Sequence, residues 1–262
     1  MKSLKKSLLI AMMFSASSFL AVAQAEITGL KVIENVYNRP VGDDMMGDLT
    51  MTLTNSRGEN RIRKIKQLSK DLGEIEKKIM FFQYPADVRN TSFMTWGYDE
   101  AGRDDDQWIY LPALKKVKRI SSDSKSDYFM GSDFTYDDLG DRHPTDDGHK
   151  FLREEVFEGS SCYVVESIPK DEEYMYSKTL TWIIKDKWIG LKKEFYDEDG
   201  DLLKILSVKK YEKIGGLWII LHSKMFNTQK KHTTDMELKN VKINSGIAAN
   251  KFTVRMMKRG IR

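Results

Sequence analysis

The sequence predicts a mainly β protein built on one large antiparallel sheet. Apolar residues such as Leu49, Met51 and Leu53 recur at every second position, which is the period of a strand. Asp199-Gly200 and Gly215-Gly216 separate neighbouring stretches of this kind and indicate hairpins. The chain shows no internal repeat and no Pro- or Gly-rich linker. We therefore expect ten or eleven strands in a single curved sheet.

The first 25 residues have the three parts of a secretory signal peptide. Three lysines precede an apolar run from Leu8 to Val22, and Ala23-Gln24-Ala25 has the small-x-small pattern of a cleavage site. The alternative is an uncleaved membrane anchor, but the apolar run is short for a membrane span. We expect cleavage near Ala25, export to the periplasm, and one domain over residues 26–262.

The net charge excludes one class of protein, and the cysteine content indicates how the fold is held together. The formal net charge is +4, and three of these charges belong to the signal lysines, which leaves the rest of the chain near +1. A strongly basic nucleic-acid-binding protein is therefore excluded. The single cysteine, Cys162, lies in an apolar strand-like run. Without an internal disulfide the core must hold the fold, and we expect this thiol to be buried.

The first elements after the signal peptide are a helix and a hairpin. Thr28 is expected to cap a short amphipathic helix that stops before Pro40. Arg57-Gly58 is expected to turn the chain between two strands. The segment Arg61–Leu72 fits helical spacing as well as strand spacing, and the paired strands around it favour a strand.

An outer-membrane barrel is the main all-β alternative to this fold. Such a barrel carries a lipid-facing apolar band on every strand. Here several strands carry lysines on both faces, for example Lys204, Lys209 and Lys210. We therefore favour an open sheet.

A connection of about thirty residues, Ser121 to Lys150, interrupts the series of short turns. Loops of this length in compact domains are usually functional or disordered, and the apolar side chains of this one argue against disorder. We expect a short helix at Ser132–Leu139, capped by Ser132 or Asp133. The connection is expected either to fill the core or to act as a lid over an apolar ligand, through Phe129, Met130, Phe134, Tyr136 and Leu139.

Two polar clusters are candidate sites of chemistry. Asp104-Asp105-Asp106 lacks the alternate spacing of a calcium loop and is interpreted as a solvated turn. The segment Asp141–His149 holds two histidines and three aspartates, which suit a metal site or an acid–base pair, but a polar loop tip explains them as well. No HExxH, GxSxG, phosphate-loop or CxxC motif occurs. We expect no catalytic residue, no metal and no cofactor.

Aromatic and methionine side chains are spread over the predicted strands, and eleven methionines follow the signal peptide. An ordinary core explains most of them. A curved sheet lined with flexible apolar side chains can also hold an apolar ligand. The residues expected to line such a cavity are Trp96, Trp108, Tyr110, Trp182 and Trp218.

Two blocks of sequence carry a resemblance to a known family. They are DQWIYLPALKKVKRI at residues 106–120 and FMGSDFTYDDL at residues 129–139. In this order they resemble the outer membrane lipoprotein-sorting proteins, periplasmic relatives of the LolA and LolB carriers. The resemblance implies an incomplete antiparallel β-barrel of about eleven strands, with short lid helices over an apolar cavity.

The resemblance also implies a function and partners. It points to a monomeric, non-enzymatic carrier that moves the acyl chains of a lipid or lipoprotein between the inner and outer membranes. The expected partners are an inner-membrane RND-type (MmpL-like) transporter and an outer-membrane acceptor. The alternatives are a non-lipid binding or scaffold subunit of a transporter complex and, less favoured, a metal-dependent hydrolase. Four basic residues are expected to dock the partner or anionic headgroups, or else to form a solvated strand end: Lys115, Lys116, Lys118 and Arg119.

Overall fold

The structure, a computed structural model, describes residues 27–261. The predicted signal peptide and its cleavage site lie outside the described residues. The first element is the helix α1 (Gly29–Tyr37), which begins as expected because the Thr28 side chain accepts a hydrogen bond of 3.2 Å from the amide of Lys31. A second helix, α2 (Val254–Arg259), lies near the C-terminus. Neither of these described helices is long and apolar enough to cross a membrane.

Apart from short 3₁₀ turns, the remaining regular structure of the described residues is one antiparallel sheet of thirteen strands. The strands are β1 (Asp44–Thr54), β2 (Asn60–Asp71), β3 (Ile75–Tyr84), β4 (Ser92–Tyr98), β5 (Asp106–Leu111), β6 (Lys116–Arg119), β7 (Asp147–Phe157), β8 (Ser160–Pro169), β9 (Lys178–Ile184), β10 (Gly190–Tyr196), β11 (Leu202–Ile214), β12 (Leu217–Asn227) and β13 (His232–Ile243). Their order across the sheet is β6-β5-β4-β3-β2-β1-β13-β12-β11-β10-β9-β8-β7.

The mainly β fold and the open sheet are confirmed, and the expected count of eleven strands is corrected to thirteen. The ambiguous segment 61–72 is a strand, since it falls in β2. Strands as short as β6, in a run dominated by lysine and arginine, are not visible as an apolar period. The position of such a short strand is set by its hydrogen bonds to the adjacent strand of the sheet, and the sequence of the short strand alone does not indicate this pairing.

The expected helix at Ser132–Leu139 is wrong. The structure has two 3₁₀ turns instead, Phe129–Gly131 and Asp137–Leu139. The Asp138 carboxylate accepts a 2.7 Å hydrogen bond from the amide of Thr135, and the Thr135 hydroxyl accepts one of 3.2 Å from the amide of Asp138. Side-chain bonds of this kind compete with the helical backbone pattern.

The two faces of the sheet carry separate cores. Along β3, Met80 and Phe82 belong to one apolar cluster, whereas Ile79 and Phe81 belong to another. We call the face that bears Phe82 the inner face and the opposite face the outer face. On the outer face the core is closed by the C-terminal segment, whose Met257 is fully buried.

A buried carboxylate anchors that C-terminal segment to the sheet. Asp44 is 3% exposed and accepts hydrogen bonds of 2.8 to 3.0 Å from the amides of Ser245, Gly246 and Ile247. These donors lower the pKa of the Asp44 carboxyl even though its burial acts in the opposite direction.

The long connection joins the two free edges of the sheet. In the strand order β6 is one edge and β7 is the other, yet they follow each other in the chain. Residues 120–146, here named the crossing loop, must therefore span the opening of the incomplete barrel. The loop bonds to Gln107 on β5 and to Thr234 on β13, so the sheet curves around it.

Candidate functional site

The aromatic side chains of the crossing loop fill the inner face of the sheet. Phe129 is 0% exposed, and its ring centroid lies 4.9 Å from that of Phe93, 5.6 Å from that of Tyr136 and 6.0 Å from that of Phe82. Met130 is partly buried against the same cluster. At this end of the loop the apolar residues form part of the core.

A second group of loop side chains packs into a separate apolar cluster on the inner face. Phe134 is 6% exposed and clusters with Tyr176, Phe195 and Met225. Leu139 packs against both this cluster and that of Phe129. The structure thus brings the five predicted lid residues together on the inner face, and their contact with a bound lipid stays a prediction.

A buried ion pair fixes the crossing loop to β11. The Lys204 ammonium, on a side chain 0% exposed, lies 2.5 Å from the Asp138 carboxylate, whose side chain is 5% exposed. The same carboxylate accepts a 3.0 Å bond from the hydroxyl of Tyr176, and Lys204 also donates to the carbonyl of Asp133. Burial lowers the pKa of Lys204, and burial followed by the charge of Asp138 raises that of Tyr176 well above 10.

A second buried carboxylate fixes the loop to β13. Asp133 is 2% exposed, and its Oδ2 lies 2.7 Å from the hydroxyl of Thr234 and 2.7 Å from Nδ1 of His232. Its amide donates to the same threonine at 2.9 Å. The sequence predicted no role for Asp138, and for Asp133 only that of a possible helix cap. Their signal was the alternation of acids with aromatics in residues 129–139, together with a lysine inside the apolar stretch 202–206.

The five side chains expected to line one cavity lie in different places. Trp96, Trp108 and Tyr110 pack on the outer face near the C-terminal segment, because they alternate along their strands with inner-face residues such as Ile109. Trp182 and Trp218 belong to a third cluster, formed mainly by β8 to β12. The structure therefore does not place the five around a single cavity.

The basic run lies on a free edge of the sheet. Lys116, Lys118 and Arg119 belong to the edge strand β6, Lys115 directly precedes it, and all four are exposed. Arg119 pairs with Asp106. Charged side chains on an edge strand discourage pairing with another sheet, so this surface has a structural explanation alongside its predicted docking role.

The two histidines near the end of the loop are held by local hydrogen bonds. His143 Nδ1 lies 2.7 Å from the Thr145 hydroxyl and accepts from that residue's amide, which caps a 3₁₀ turn. His149 Nδ1 lies 2.7 Å from the Ser167 hydroxyl, and its Nε2 lies 2.7 Å from the carbonyl of Pro144. Within residues 27–261 no three His, Cys, Asp or Glu side chains are grouped as metal ligands.

A small polar cavity of about 40 Å³ lies beside the exit of the loop, with Asp105 and Asp141 among its lining residues. Lys78 bonds to both oxygens of Asp141 at 2.8 and 3.0 Å and lies 3.1 Å from Glu76. Asp105 accepts a 2.9 Å bond from the amide of Asp141. Burial raises the pKa of the Asp105 carboxyl to about 6, with a smaller contribution from the charge of Asp141.

The raised pKa predicts that Asp105 makes stability depend on pH. The folded state holds this proton more tightly than the unfolded state, so the free energy of unfolding should fall as pH rises from about 4 to about 7. We expect Asp105→Asn to remove about 2–3 kcal/mol of that fall. Urea unfolding at several pH values measures this pH dependence of the free energy of unfolding. Asp104→Asn, at the exposed neighbouring carboxylate, is the control and should keep the wild-type slope, whereas an unchanged slope in Asp105→Asn would contradict the prediction.

Comparison with known proteins gives a family model and several solved structures. A family model with the description "Uncharacterized protein" matches residues 74–259. No curated protein matches the sequence.

Among solved structures, a domain from Vibrio parahaemolyticus described as an outer membrane lipoprotein-sorting protein is 34% identical, with a TM-score of 0.82. The match covers 88% of this chain and 98% of that chain. A DUF1329 family protein from Desulfovibrio piger is 28% identical with a TM-score of 0.83, over 87% of this chain and 97% of that one. A LolA superfamily protein from Nitrosomonas europaea, 20% identical, matches in fold with a TM-score of 0.67, over 88% of this chain and 100% of that one. The chain thus belongs to the outer membrane lipoprotein-sorting protein family and has its LolA-like open β fold.

Proposed function

We propose that this protein is a periplasmic carrier that binds the acyl chains of a lipid or lipoprotein on the inner face of its open sheet. The observation that carries the proposal is the crossing loop, which joins both free edges and covers a core rich in methionine and aromatic side chains. Met51, Met80, Met225 and Met236 all lie in the inner-face clusters. Unbranched thioether side chains repack easily, which suits a site that is filled by different acyl chains in turn.

The free energy of acyl burial is large enough for such a role. Burial gains about 0.8 kcal/mol per methylene, so a sixteen-carbon chain gains on the order of 12 kcal/mol before other terms are subtracted. Because Phe129 and Phe134 occupy the inner face in this structure, an incoming chain must displace loop or core side chains. The net affinity is therefore lower than the gross gain, which allows an acceptor of similar affinity to remove the cargo.

We extend the proposal to the finer features of the carrier. After removal of the signal peptide, residues 26–262 form one domain, and the protein acts as a monomer. The bound acyl chain is covered by five residues of the crossing loop: Phe129, Met130, Phe134, Tyr136 and Leu139. Since the periplasm holds no ATP, loading depends on an inner-membrane partner of the RND type, and delivery depends on an outer-membrane acceptor. The exposed basic run at Lys115–Arg119 docks the partner or anionic headgroups.

The packed inner face also supports a second candidate, a scaffold or binding subunit of a transporter complex that carries no lipid. Phe129 is 0% exposed and Phe134 is 6% exposed, as expected of side chains that fill their own core. The two candidates differ in whether lipid is bound.

Native mass spectrometry and solvent extraction of protein purified from the periplasm test the proposal. We expect co-purifying lipid and saturable binding of the fluorescent fatty acid cis-parinaric acid. Met236 packs against both inner-face clusters, and we expect Met236→Lys to lose the co-purifying lipid and the binding of cis-parinaric acid. Phe226→Lys, which follows Met225 on β12 and is already 39% exposed, should keep both. Absence of lipid and of probe binding in the wild type would favour the scaffold.

A further inference from the structure

The wall of the open barrel splits between two neighbouring strands. Strands β12 and β13 pair from His222–Asn227 to His232–Glu237, and within the described chain they form no further pairs. Both strands nevertheless continue. The remaining part of β12 pairs with β11 as far as Leu217, and the remaining part of β13 pairs with β1 as far as Ile243. In residues 217–221 and 238–243 the described sheet partners thus lie on the far sides only, and Leu221, Asn240 and Val241 fall at irregularities of those far-side ladders.

The split is closed at both ends, so it forms a window in the sheet. Its narrow end is the last pair, His222 with Glu237. At its wide end Arg39 donates to the carbonyl of Trp218. Gly42 there lies so close to Ile243 and Leu217 that a Cβ atom would clash with the isoleucine. The chain between α1 and β1 therefore bridges the diverging strands.

A groove of about 540 Å³ occupies this region, a volume within the usual range for small-molecule sites. Four apolar side chains line it: Ile214, Leu221, Leu238 and Val241. The charges among its lining residues are paired, Lys210 with Glu212 at 2.9 Å and Lys239 with Glu237 at 2.9 Å. The groove thus offers apolar surface together with charges that are already neutralised.

The groove reaches the inner-face core. Leu238 is 9% exposed and belongs to the buried cluster of Phe129, and Val241 packs against the same cluster. Both residues also line the groove. An apolar chain that passes along Leu238 and Val241 therefore arrives at the core from the side.

Energetic considerations favour this route over the opening covered by the crossing loop. Strands that are paired separate only if ladder hydrogen bonds break, each worth about 0.5–1.5 kcal/mol. The loop opens only if the buried pair of Lys204 with Asp138 separates, and an uncompensated buried charge is strongly destabilising. At the window β12 and β13 can part further without breaking a ladder bond between them.

We propose that the window between β12 and β13 is a side entrance for one linear hydrocarbon chain, whose polar headgroup stays at the charged rim. This inference rests on the proposed lipid-carrier function and adds to it the route by which the chain enters. An extended peptide that pairs with the free strand edges is the competing occupant, and the experiment below separates it from a hydrocarbon chain.

The test closes the window with a reversible crosslink. Leu221 and Leu238 would be the next facing pair if the register of His222 with Glu237 continued. In a Cys162→Ala background, Leu221→Cys with Leu238→Cys is oxidised, and the association rate of cis-parinaric acid is followed in stopped flow. Lys224→Cys with Asp235→Cys, a pair that already faces across the ladder, is the matched control.

We expect at least a tenfold slower association in the oxidised Leu221/Leu238 variant, recovery after reduction, and no change in the control. Leu221→Trp, which narrows the groove without oxidation, should also slow the uptake. If uptake stays at the wild-type rate in these variants, the side entrance is overturned, and this is the result that a peptide-binding groove would give. If the wild type itself binds no probe, the carrier function fails first, so the two failures are distinguishable.

Discussion

Replacing Lys204 with methionine is expected to lower the free energy of unfolding by about 3–5 kcal/mol. The substitution keeps the apolar stem but leaves the carboxylate of Asp138 without its cation, on a side chain that is 5% exposed. The Tyr176 hydroxyl and the Thr135 amide still bond to that carboxylate, yet neither supplies the missing positive charge. Urea unfolding at pH 7 measures the loss.

Two variants control this measurement. The double variant Lys204→Met with Asp138→Leu removes both charges, so it should recover much of the loss seen with the single change. Lys224→Met, on the neighbouring strand, removes a lysine that pairs with Asp235 but has a side chain 43% exposed, and it should change stability by less than about 1 kcal/mol. A Lys204→Met variant as stable as Lys224→Met would show that the buried pair does not hold the loop.

Local signals predicted the local elements. The Thr28 cap of α1 and the hairpin turns at Asp199-Gly200 and Gly215-Gly216 appear where residue types alone indicated them. These elements depend on capping, turn geometry and period, which are properties of neighbouring residues. They were enough to indicate an antiparallel sheet and, with the two sequence blocks, the family.

The contacts that build the candidate site are long-range, and sequence patterns alone did not specify them. Lys204 contacts Asp138 although the two are 66 positions apart in the chain. The residues next to either one give no indication that the two side chains pair. Trp108 and Ile109 point to opposite faces, both of which are covered. Because the C-terminal segment buries the outer face, an aromatic residue on a strand did not indicate which side of the sheet it faces.

Substitutions of Phe129 in the crossing loop can distinguish a lipid-binding site from an ordinary core. Phe129→Ala is expected to lower the free energy of unfolding by about 3–5 kcal/mol, because this fully buried ring packs against Phe82, Phe93 and Tyr136. It also vacates apolar volume on the inner face. If acyl chains bind there, this variant should bind cis-parinaric acid at least as tightly as the wild type, since no ring has to be displaced.

Phe129→Asp vacates similar volume but places a carboxylate in it, and burial of an unpaired charge opposes an apolar chain by on the order of several kcal/mol. We therefore expect at least tenfold weaker probe binding than in Phe129→Ala, although both variants lose the ring. Phe134→Ala and Phe134→Asp repeat the comparison at the other inner-face cluster, and melting temperatures taken in parallel show which variants are folded. Equal affinities within each Ala/Asp pair would mean that the cargo does not touch these positions. The crossing loop would then act only as a core plug, held by Asp133 and Asp138.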